Sequence, residues 1–388
     1  MSAFLLSACA GPSGPTQEEI AAEKAKVVAD AASARNAADA DGQITIGLAA
    51  PLSGDLKDYG LEMRQGAEMA VADLNAAGGV LGRKLVLEEA DDRCGIEDAS
   101  RAATELVRKG VVFVDGHFCS GSTIRGSEVY GPADVLQITP SSTNDLVTDI
   151  AVQKKITTLL RVVGRDDRQG DFAADWIAAN FAGERIGIVS DNSIYGKGIA
   201  ARLIARLKAK GIAPVIQGEF VQGQTSYNGL INKMKDVKPR LLYVAAYHDD
   251  IGRLTWGMRV AQLETEVVGP DVLNNTEFWS FSEGRGSGVR FSDFAPAIER
   301  PEAADVVAKL QAAGIQPSNY SLNAYAAIQV FAAAAEATKG TDAAKLAEYL
   351  RQNSVKTVLG DLSWDQKGDL TAPNYIWYVW QDGLAVRQ

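Results

Sequence analysis

Histidine is nearly missing from this chain: His117 and His248 are its two copies. That leaves little material for a histidine-based metal site or a serine–histidine relay. Cysteine is scarce as well, with Cys9, Cys94 and Cys119. No apolar run approaches the ~20 residues that a membrane-spanning helix needs. Positive charge is in deficit, 39 Lys and Arg against 49 Asp and Glu, a formal net charge of -10. Such a surface repels phosphate backbones, so nucleic acid is not an expected partner. Nucleotide and hydrolase motifs are missing too. There is no Gly-x-Gly-x-x-Gly in the first strand–helix turn, no Gly-x-x-x-x-Gly-Lys-Ser/Thr and no Gly-x-Ser-x-Gly elbow. Gly284 to Gly288 is glycine-rich, but no clear strand precedes it and no clear helix follows, so it reads as a loop. No catalytic centre, cofactor or metal site is expected.

What is present is length and alternation. The 388 residues, 46% of them hydrophobic, can bury a large core, and chains of this size usually carry more than one domain. Strand-like patterns fall at 44–48, 84–90, 111–114 and 135–138, with helical spacing at 60–77, 96–109 and 122–130. Successive strand–helix units imply right-handed crossovers and a parallel sheet. A second series follows, with strands at 185–190, 214–220, 240–245 and 266–268 and helices at 199–210, 227–235 and 251–261. The expected fold class is therefore α/β, with two similar lobes, each a parallel sheet flanked by helices. Helices dominate 301–353, and short strands near Leu362 and at 375–380 close the chain.

Phe4 to Cys9 resembles a bacterial lipoprotein processing site, which would make Cys9 the lipidated first residue of the mature chain. It departs from a full signal peptide in its short apolar stretch and its lack of a preceding Lys or Arg. A chance match is the alternative. Residues 17–41 are mostly Ala with Glu, Lys and Asp and show little apolar face, so 1–42 is expected to be a truncated signal and a partly helical tether outside the fold. Cys94 and Cys119 follow the second and third strands. If those strands are neighbours a disulfide is geometrically reasonable; two buried free thiols are the other possibility.

In open parallel sheets ligands bind beyond the carboxyl ends of the strands. Two hydroxyl-rich turns sit there: Asp115 to Thr123, and Thr139 to Thr143. Free backbone N–H groups and hydroxyls in such turns suit a carboxylate, although Ser and Thr after a strand are also ordinary helix caps. An ammonium group would need an anion. Asp191, Asp249, Asp250 and Asp271 follow second-lobe strands, as do Tyr195 and Tyr247, whose faces could attract a cation. Asp91 and Asp92 read as surface charges at a strand end, and His117 as a cap-region histidine.

These residues resemble the periplasmic binding proteins for leucine, isoleucine and valine, the substrate-binding components of ABC transporters. The likeness runs from about Gln43 to Asp382. It is carried by Pro51-Leu52-Ser53-Gly54, Asp91-Asp92-Arg93-Cys94, Gly116-His117-Phe118-Cys119-Ser120, Ile138-Thr139-Pro140, Tyr195-Gly196-Lys197-Gly198, Gly269-Pro270-Asp271 and Trp364-Asp365-Gln366-Lys367-Gly368-Asp369. It implies two lobes of the type I periplasmic fold, joined by three crossings: 43–162 with 294–362, and 163–293 with 363–388. It implies that Ser120 and Thr143, in the Ser141-Ser142-Thr143 turn, hold an α-carboxylate. The Ser141 carbonyl, the Thr143 hydroxyl and Asp271 would hold the ammonium, Tyr195 and Tyr247 would close from the second lobe, and Tyr59, Phe118 and Tyr320 would face the ligand side chain. Cys94 and Cys119 fall where the family has its disulfide.

The family usually has Glu where this chain has Asp271, and a smaller aliphatic residue where it has Phe118. The larger ring implies a smaller ligand, such as alanine, valine, proline or 4-aminobutyrate, ahead of leucine. The implied setting is the periplasm, with an inner-membrane ABC permease as partner, a monomeric state, and contact with the membrane only through a lipid at Cys9. A ligand sensor of the same fold, an amide- or amino-acid-sensing receptor, is the competing reading.

Overall fold

The computed structural model describes residues 17–371 and 375–388. Cys9 and its lipoprotein-like surroundings lie outside the described residues. The chain starts with α1 (Gln17–Ala40) and then alternates: β1 (Gln43–Ala50), α2 (Lys57–Ala76), β2 (Lys84–Asp91), α3 (Ile96–Arg108), β3 (Phe113–Gly116), α4 (Ser120–Tyr130), β4 (Leu136–Thr139), α5 (Leu146–Gln153) and β5 (Leu159–Arg161). These strands form one sheet in the order β2-β1-β3-β4-β5, parallel throughout.

A first crossing leads to α6 (Asp166–Asn180), β6 (Ile186–Asp191), α7 (Ile194–Ala209), β7 (Ile216–Phe220), α8 (Asn228–Val237), β8 (Leu241–Ala245), α9 (His248–Val260), β9 (Glu266–Gly269), α10 (Glu277–Phe281) and β10 (Arg290–Phe294). The chain returns through α11 (Ala304–Ala312), α12 (Asn319–Thr338), α13 (Ala343–Gln352) and the hairpin β11 (Val355–Thr357) and β12 (Gly360–Leu362). It crosses once more to β13 (Tyr375–Gln381) and β14 (Leu384–Arg387). The second sheet runs β14-β13-β10-β9-β8-β6-β7. The sequence led to the expectation of a parallel sheet, and this one is parallel only in part: β13 pairs antiparallel with both β10 and β14, because the chain arrives from the opposite end and turns back in a hairpin.

Helices cover both faces of the first sheet, so β3 and β4 are buried at every position. Phe113 of β3 stacks on Phe331 of α12, ring centroids 4.7 Å apart. Helix α2 lies close against α12, and Gly66 permits it: a Cβ there would stand 1.8 Å from the Ser321 carbonyl oxygen. The sequence pattern did not reveal α5, β5 or α6. The run Arg165-Asp166-Asp167-Arg168 hides the start of α6, because charge at a helix entry looks like a loop.

Helix α1, expected outside the fold, packs on it. Val27 and Ala31 are buried against the cluster of Leu106, Val107 and Val111. The Arg35 guanidinium donates to the carbonyls of Val111 and Ala133 at 2.9 and 3.0 Å. Arg108 pairs with Glu23, and Arg83 with Asp39. Two small apolar residues and one capping arginine suffice to seat a helix with almost no continuous apolar stripe, which is why periodicity missed it.

The Cys94 and Cys119 sulfurs are bonded, with Cα atoms 5.4 Å apart. Their strands are not neighbours, since β1 lies between β2 and β3. The link is made above β1 by the loops, with Arg93 and Cys94 both at positive φ (46° and 56°) as the chain turns back.

Candidate functional site

The two hydroxyl-rich turns meet at the carboxyl ends of β3 and β4. The Thr139 hydroxyl donates to the His117 carbonyl at 2.7 Å and accepts the Ser142 N–H at 2.9 Å. The Ser142 hydroxyl lies 2.9 Å from the Phe118 carbonyl and 2.6 Å from the Thr123 hydroxyl. The Ser120 hydroxyl, opening α4, accepts the Asn144 N–H at 3.3 Å. Ser120, Ser141, Ser142 and Thr143 are all buried. So the predicted anion-binding turns come together, tied to one another by their own side chains.

Arg161, which sequence reasoning missed, holds this turn from below. Its guanidinium is fully buried, donates to the carbonyls of Ser142 (2.9 Å) and Asn144 (3.1 Å), and pairs with Asp369 at 2.7 Å. The third crossing is thereby fixed to the Ser141–Thr143 turn, and the Trp364 indole donates to the Arg161 carbonyl at 2.7 Å. A charge between Leu160 and Val162 at the end of a strand was the available signal.

Two minor expectations need correction. Asp92 is no surface charge: it is fully buried and lies 2.5 Å from His117 Nδ1, while its other oxygen accepts the Cys94 N–H at 2.9 Å. His117 Nε2 faces the Tyr130 hydroxyl at 3.1 Å. This buried acid–imidazole–phenol chain stands under the loop that carries Phe118. Asp91 does play a local part, accepting the Leu52 N–H and the Ser53 hydroxyl at 2.9 and 2.5 Å.

The second lobe contributes acids and phenols. The Tyr195 hydroxyl donates to Asp271 Oδ1 at 2.7 Å, and Tyr195 packs on Tyr247 with centroids 5.1 Å apart. The other acids named from sequence are engaged within their own lobe. Asp191 accepts from Ser193, Asp249 pairs with Arg253 at 2.6 Å, and Asp250 accepts the Gly223 N–H and the Tyr227 hydroxyl.

A further acid was not anticipated. Asp166, at the start of α6, is 1% exposed, and neither of its carboxylate oxygens has a hydrogen-bond partner among the described residues. Its backbone N–H donates to the Thr143 carbonyl at 2.9 Å, which places it beside the ligand turn. Burial raises its carboxyl well above the usual range and the nearby Asp271 charge adds to this, with the Thr143 side chain opposing. Burial also raises Asp271, with the Tyr195 and Gln169 side chains opposing. No periodicity could have marked Asp166, because first-turn Asp residues are common at helix entries.

Aromatic side chains close the middle. Tyr59 stacks on Phe118 (4.4 Å, 17° between planes) and meets Tyr320 edge-on at 5.1 Å. From the other lobe His248 meets Tyr59 edge-on at 4.8 Å, and the Tyr59 hydroxyl donates to the Val272 carbonyl at 2.6 Å. The lobes are thus in contact and the candidate residues are shut in. A separate cavity of about 280 Å³ lies at the crossings, lined by Val162, Gly164, Phe294, Asn323 and Leu362, and none of the candidate contacts lines it.

Two α/β lobes linked by three crossings, with donors at strand ends on one side and acids facing them from the other, define a two-lobed ligand-binding protein of the type I periplasmic fold. The chain belongs to the periplasmic binding protein family, whose profile matches residues 43–383. It is 35% identical over 349 residues to the Leu/Ile/Val-binding protein BraC3 of Rhizobium johnstonii, covering 89% of this chain and 94% of that protein. It is 35% identical over 342 residues to an amino acid binding protein of Pseudomonas aeruginosa, covering 87% and 90%. Among solved structures it is similar to the branched-chain amino acid transporter substrate binding protein LivJ of Streptococcus pneumoniae in complex with isoleucine. That match has a TM-score of 0.79 and 25% identity, and covers 89% of this chain and all of that one. Helix α1 precedes the part that the family profile matches.

Proposed function

We propose that this protein captures a small aliphatic amino acid in the periplasm, closes its lobes over it, and presents the closed form to an ABC permease of the inner membrane. The observation that carries the reading is the opposed polarity of the cleft. Hydroxyls and turn N–H groups of Ser120, Ser142 and Thr143 line the first lobe, whereas Asp271, with Tyr195, and the unpartnered Asp166 come from the second. An α-amino acid has that polarity. Its carboxylate goes to the first lobe and its ammonium to the second, with Asp166 and Asp271 sharing the positive charge and the Ser141 carbonyl and Thr143 hydroxyl completing its shell. The names of the relatives, which bind Leu, Ile and Val or amino acids, support the ligand class.

The Phe118 ring, stacked on Tyr59 and crossed by Tyr320, narrows the side-chain end and favours alanine-, valine- or proline-sized ligands, or 4-aminobutyrate, over leucine. No bond is made or broken. Contacts with both lobes stabilise the closed state, and the protein acts as a monomer, with lipid at Cys9 as its membrane attachment.

Isothermal titration tests this. The protein is unfolded and refolded to strip carried ligand, then titrated with a panel of amino acids and 4-aminobutyrate. One-to-one binding that is lost in Asp271→Ala and weakened in Thr143→Ala is the expected result. A folded protein that binds nothing in the panel would sink the reading, and leucine binding tightest would sink the size preference.

A further inference from the structure

Lobe closure needs surfaces that meet when the lobes meet. One such contact lies beside the ligand turn and does not itself touch the candidate ligand position. Asn144 of the first lobe directly follows Thr143, and its Nδ2 donates across the cleft to the Ile194 carbonyl, in the first turn of α7, at 2.8 Å. Opposite it on α7 is Gly198. A Cβ at Gly198 would stand 2.0 Å from Asn144 Nδ2, and all three of its nearest atoms would belong to Asn144. Gly196, one helical step earlier, is different: its Cβ would strike Asp191 and the Ala245 carbonyl, both in its own lobe. Gly196 is thus demanded by the packing of the second lobe. Gly198 is demanded by the other lobe alone.

Asn144 cannot readily step aside. It is 1% exposed and is held at four points. Its N–H donates to the Ser120 hydroxyl, its carbonyl accepts from Arg161, its Oδ1 accepts the Leu146 N–H at 2.8 Å, and Nδ2 makes the cross-lobe bond. The anchors on the first lobe are the groups that shape the Ser141–Thr143 turn. The helix it meets carries Tyr195, which holds Asp271.

We infer that Asn144 and Gly198 form a closure latch: the amide of Asn144 seats on the bare backbone at Gly198 only when the lobes shut, so that this pair sets how much of the ligand's binding energy is realised as closure. The inference rests on the hinge-closure reading above. It adds two positioning residues that touch no ligand. Their effect is on the equilibrium between open and closed protein, and apparent affinity falls in proportion to the fraction of protein able to close.

Gly198→Ala is the direct test, because it separates closure from folding. In the open protein alanine in the middle of α7 is a better helix former than glycine, so the thermal midpoint of the ligand-free variant should equal or exceed that of the unmodified protein. In the closed protein the new methyl meets Asn144, so amino acid affinity should fall tenfold or more. Asn144→Ala alone should also weaken binding, and adding Gly198→Ala to it should cost little more, since the obstructing amide is gone. Unchanged affinity in Gly198→Ala would overturn the latch. So would a fall in the ligand-free midpoint that parallels the loss of binding, or fully multiplicative effects in the double variant. If the unmodified protein binds no amino acid in the panel, the ligand reading has failed, and the latch is decided separately by an Asn144→Cys/Gly198→Cys pair. A disulfide between these positions on oxidation supports the contact, and its absence refutes it.

Discussion

The two lobes share a plan and differ in chemistry. The first lobe meets the cleft with neutral groups, the hydroxyls of Thr139, Ser142 and Ser120 and the peptide groups of their turns, tied to one another and braced by Arg161. The second lobe meets it with carboxylates and phenols, of which the Asp166 carboxylate accepts no hydrogen bond among the described residues and Asp271 accepts one from Tyr195. The hydroxyls of Thr139 and Ser142 on the neutral side already bond to carbonyls of the neighbouring turn, which holds that side in place before any ligand arrives. The acidic side is left with buried carboxyls whose ionised form is costly until a cation comes, which is why burial raises both Asp166 and Asp271. On the proposed reading, the difference teaches that an amino acid would be oriented by a hydroxyl-rich turn on one lobe and by Asp166 and Asp271 on the other.

The sharpest way to break that comparison is to neutralise the acidic side. Asp271→Asn should weaken binding about 100-fold or more, since a buried charge left without its partner costs about 3 kcal/mol or above. An isothermal titration showing a loss below threefold would move the ammonium elsewhere. Removing the covalent brace of the neutral side comes next. The double change Cys94→Ser and Cys119→Ser should lower stability by about 3 kcal/mol in denaturant unfolding, because it frees a loop spanning 25 residues. Thr143→Ala should then cost about tenfold in affinity, one hydrogen bond to a charged group. A smaller effect is expected at the aromatic boundary. Phe118→Leu, which removes the ring stacked on Tyr59, should shift selectivity toward leucine over valine by about tenfold, about 1–3 kcal/mol being the worth of a methylene in such a pocket.

The smallest effect is the pH dependence of the ligand-free protein. In the second lobe burial raises Asp191 to about 6 and Asp250 and Asp293 to about 7. In the first lobe it raises Glu62 to about 7. These groups bind protons more tightly folded than unfolded. Their contribution to stability is therefore present at acid pH and is lost as pH rises through the folded values. The thermal midpoint should fall as pH rises from about 4, the unfolded carboxylate value, to about 7. Changing Asp250 and Asp293 to Asn should flatten that slope more than changing Glu62 to Gln. The reverse ranking would contradict the assignment of buried acid chiefly to the second lobe.

Much of the fold could be read before the structure. The strands β1, β2, β6 and β8 alternate or run apolar, and their positions match to within two residues. Less could be read where charge and irregular backbone intervene. β5 is three residues long and ends in Arg161, and α6 opens with charged residues, so neither shows a period. At the site, Ser120, Thr143, Tyr195 and Asp271 could be nominated as residues that follow strands. Residue types and positions alone did not separate Asp191, Asp249 and Asp250 from Asp271, which only the family resemblance singled out, because which acid already has a partner is decided by Ser193, Arg253 and Tyr227, each on a different local turn or helix.

The sequence by itself determined the α/β alternation, the two-lobed plan and the residue types at the strand ends, since these follow from periodicity and turn chemistry that neighbouring residues impose. The tertiary structure alone decided what depends on distant chain segments meeting. It seated α1 through Arg35 on carbonyls 76 and 98 positions away. It buried Asp92 against His117, and it set the Asp166 carboxylate beside Thr143 with no hydrogen bond to it among the described residues. It also set Asn144 against Gly198 across the cleft. Burial and pairing of a charge are properties of the closed surface around it, and no window of sequence contains that surface.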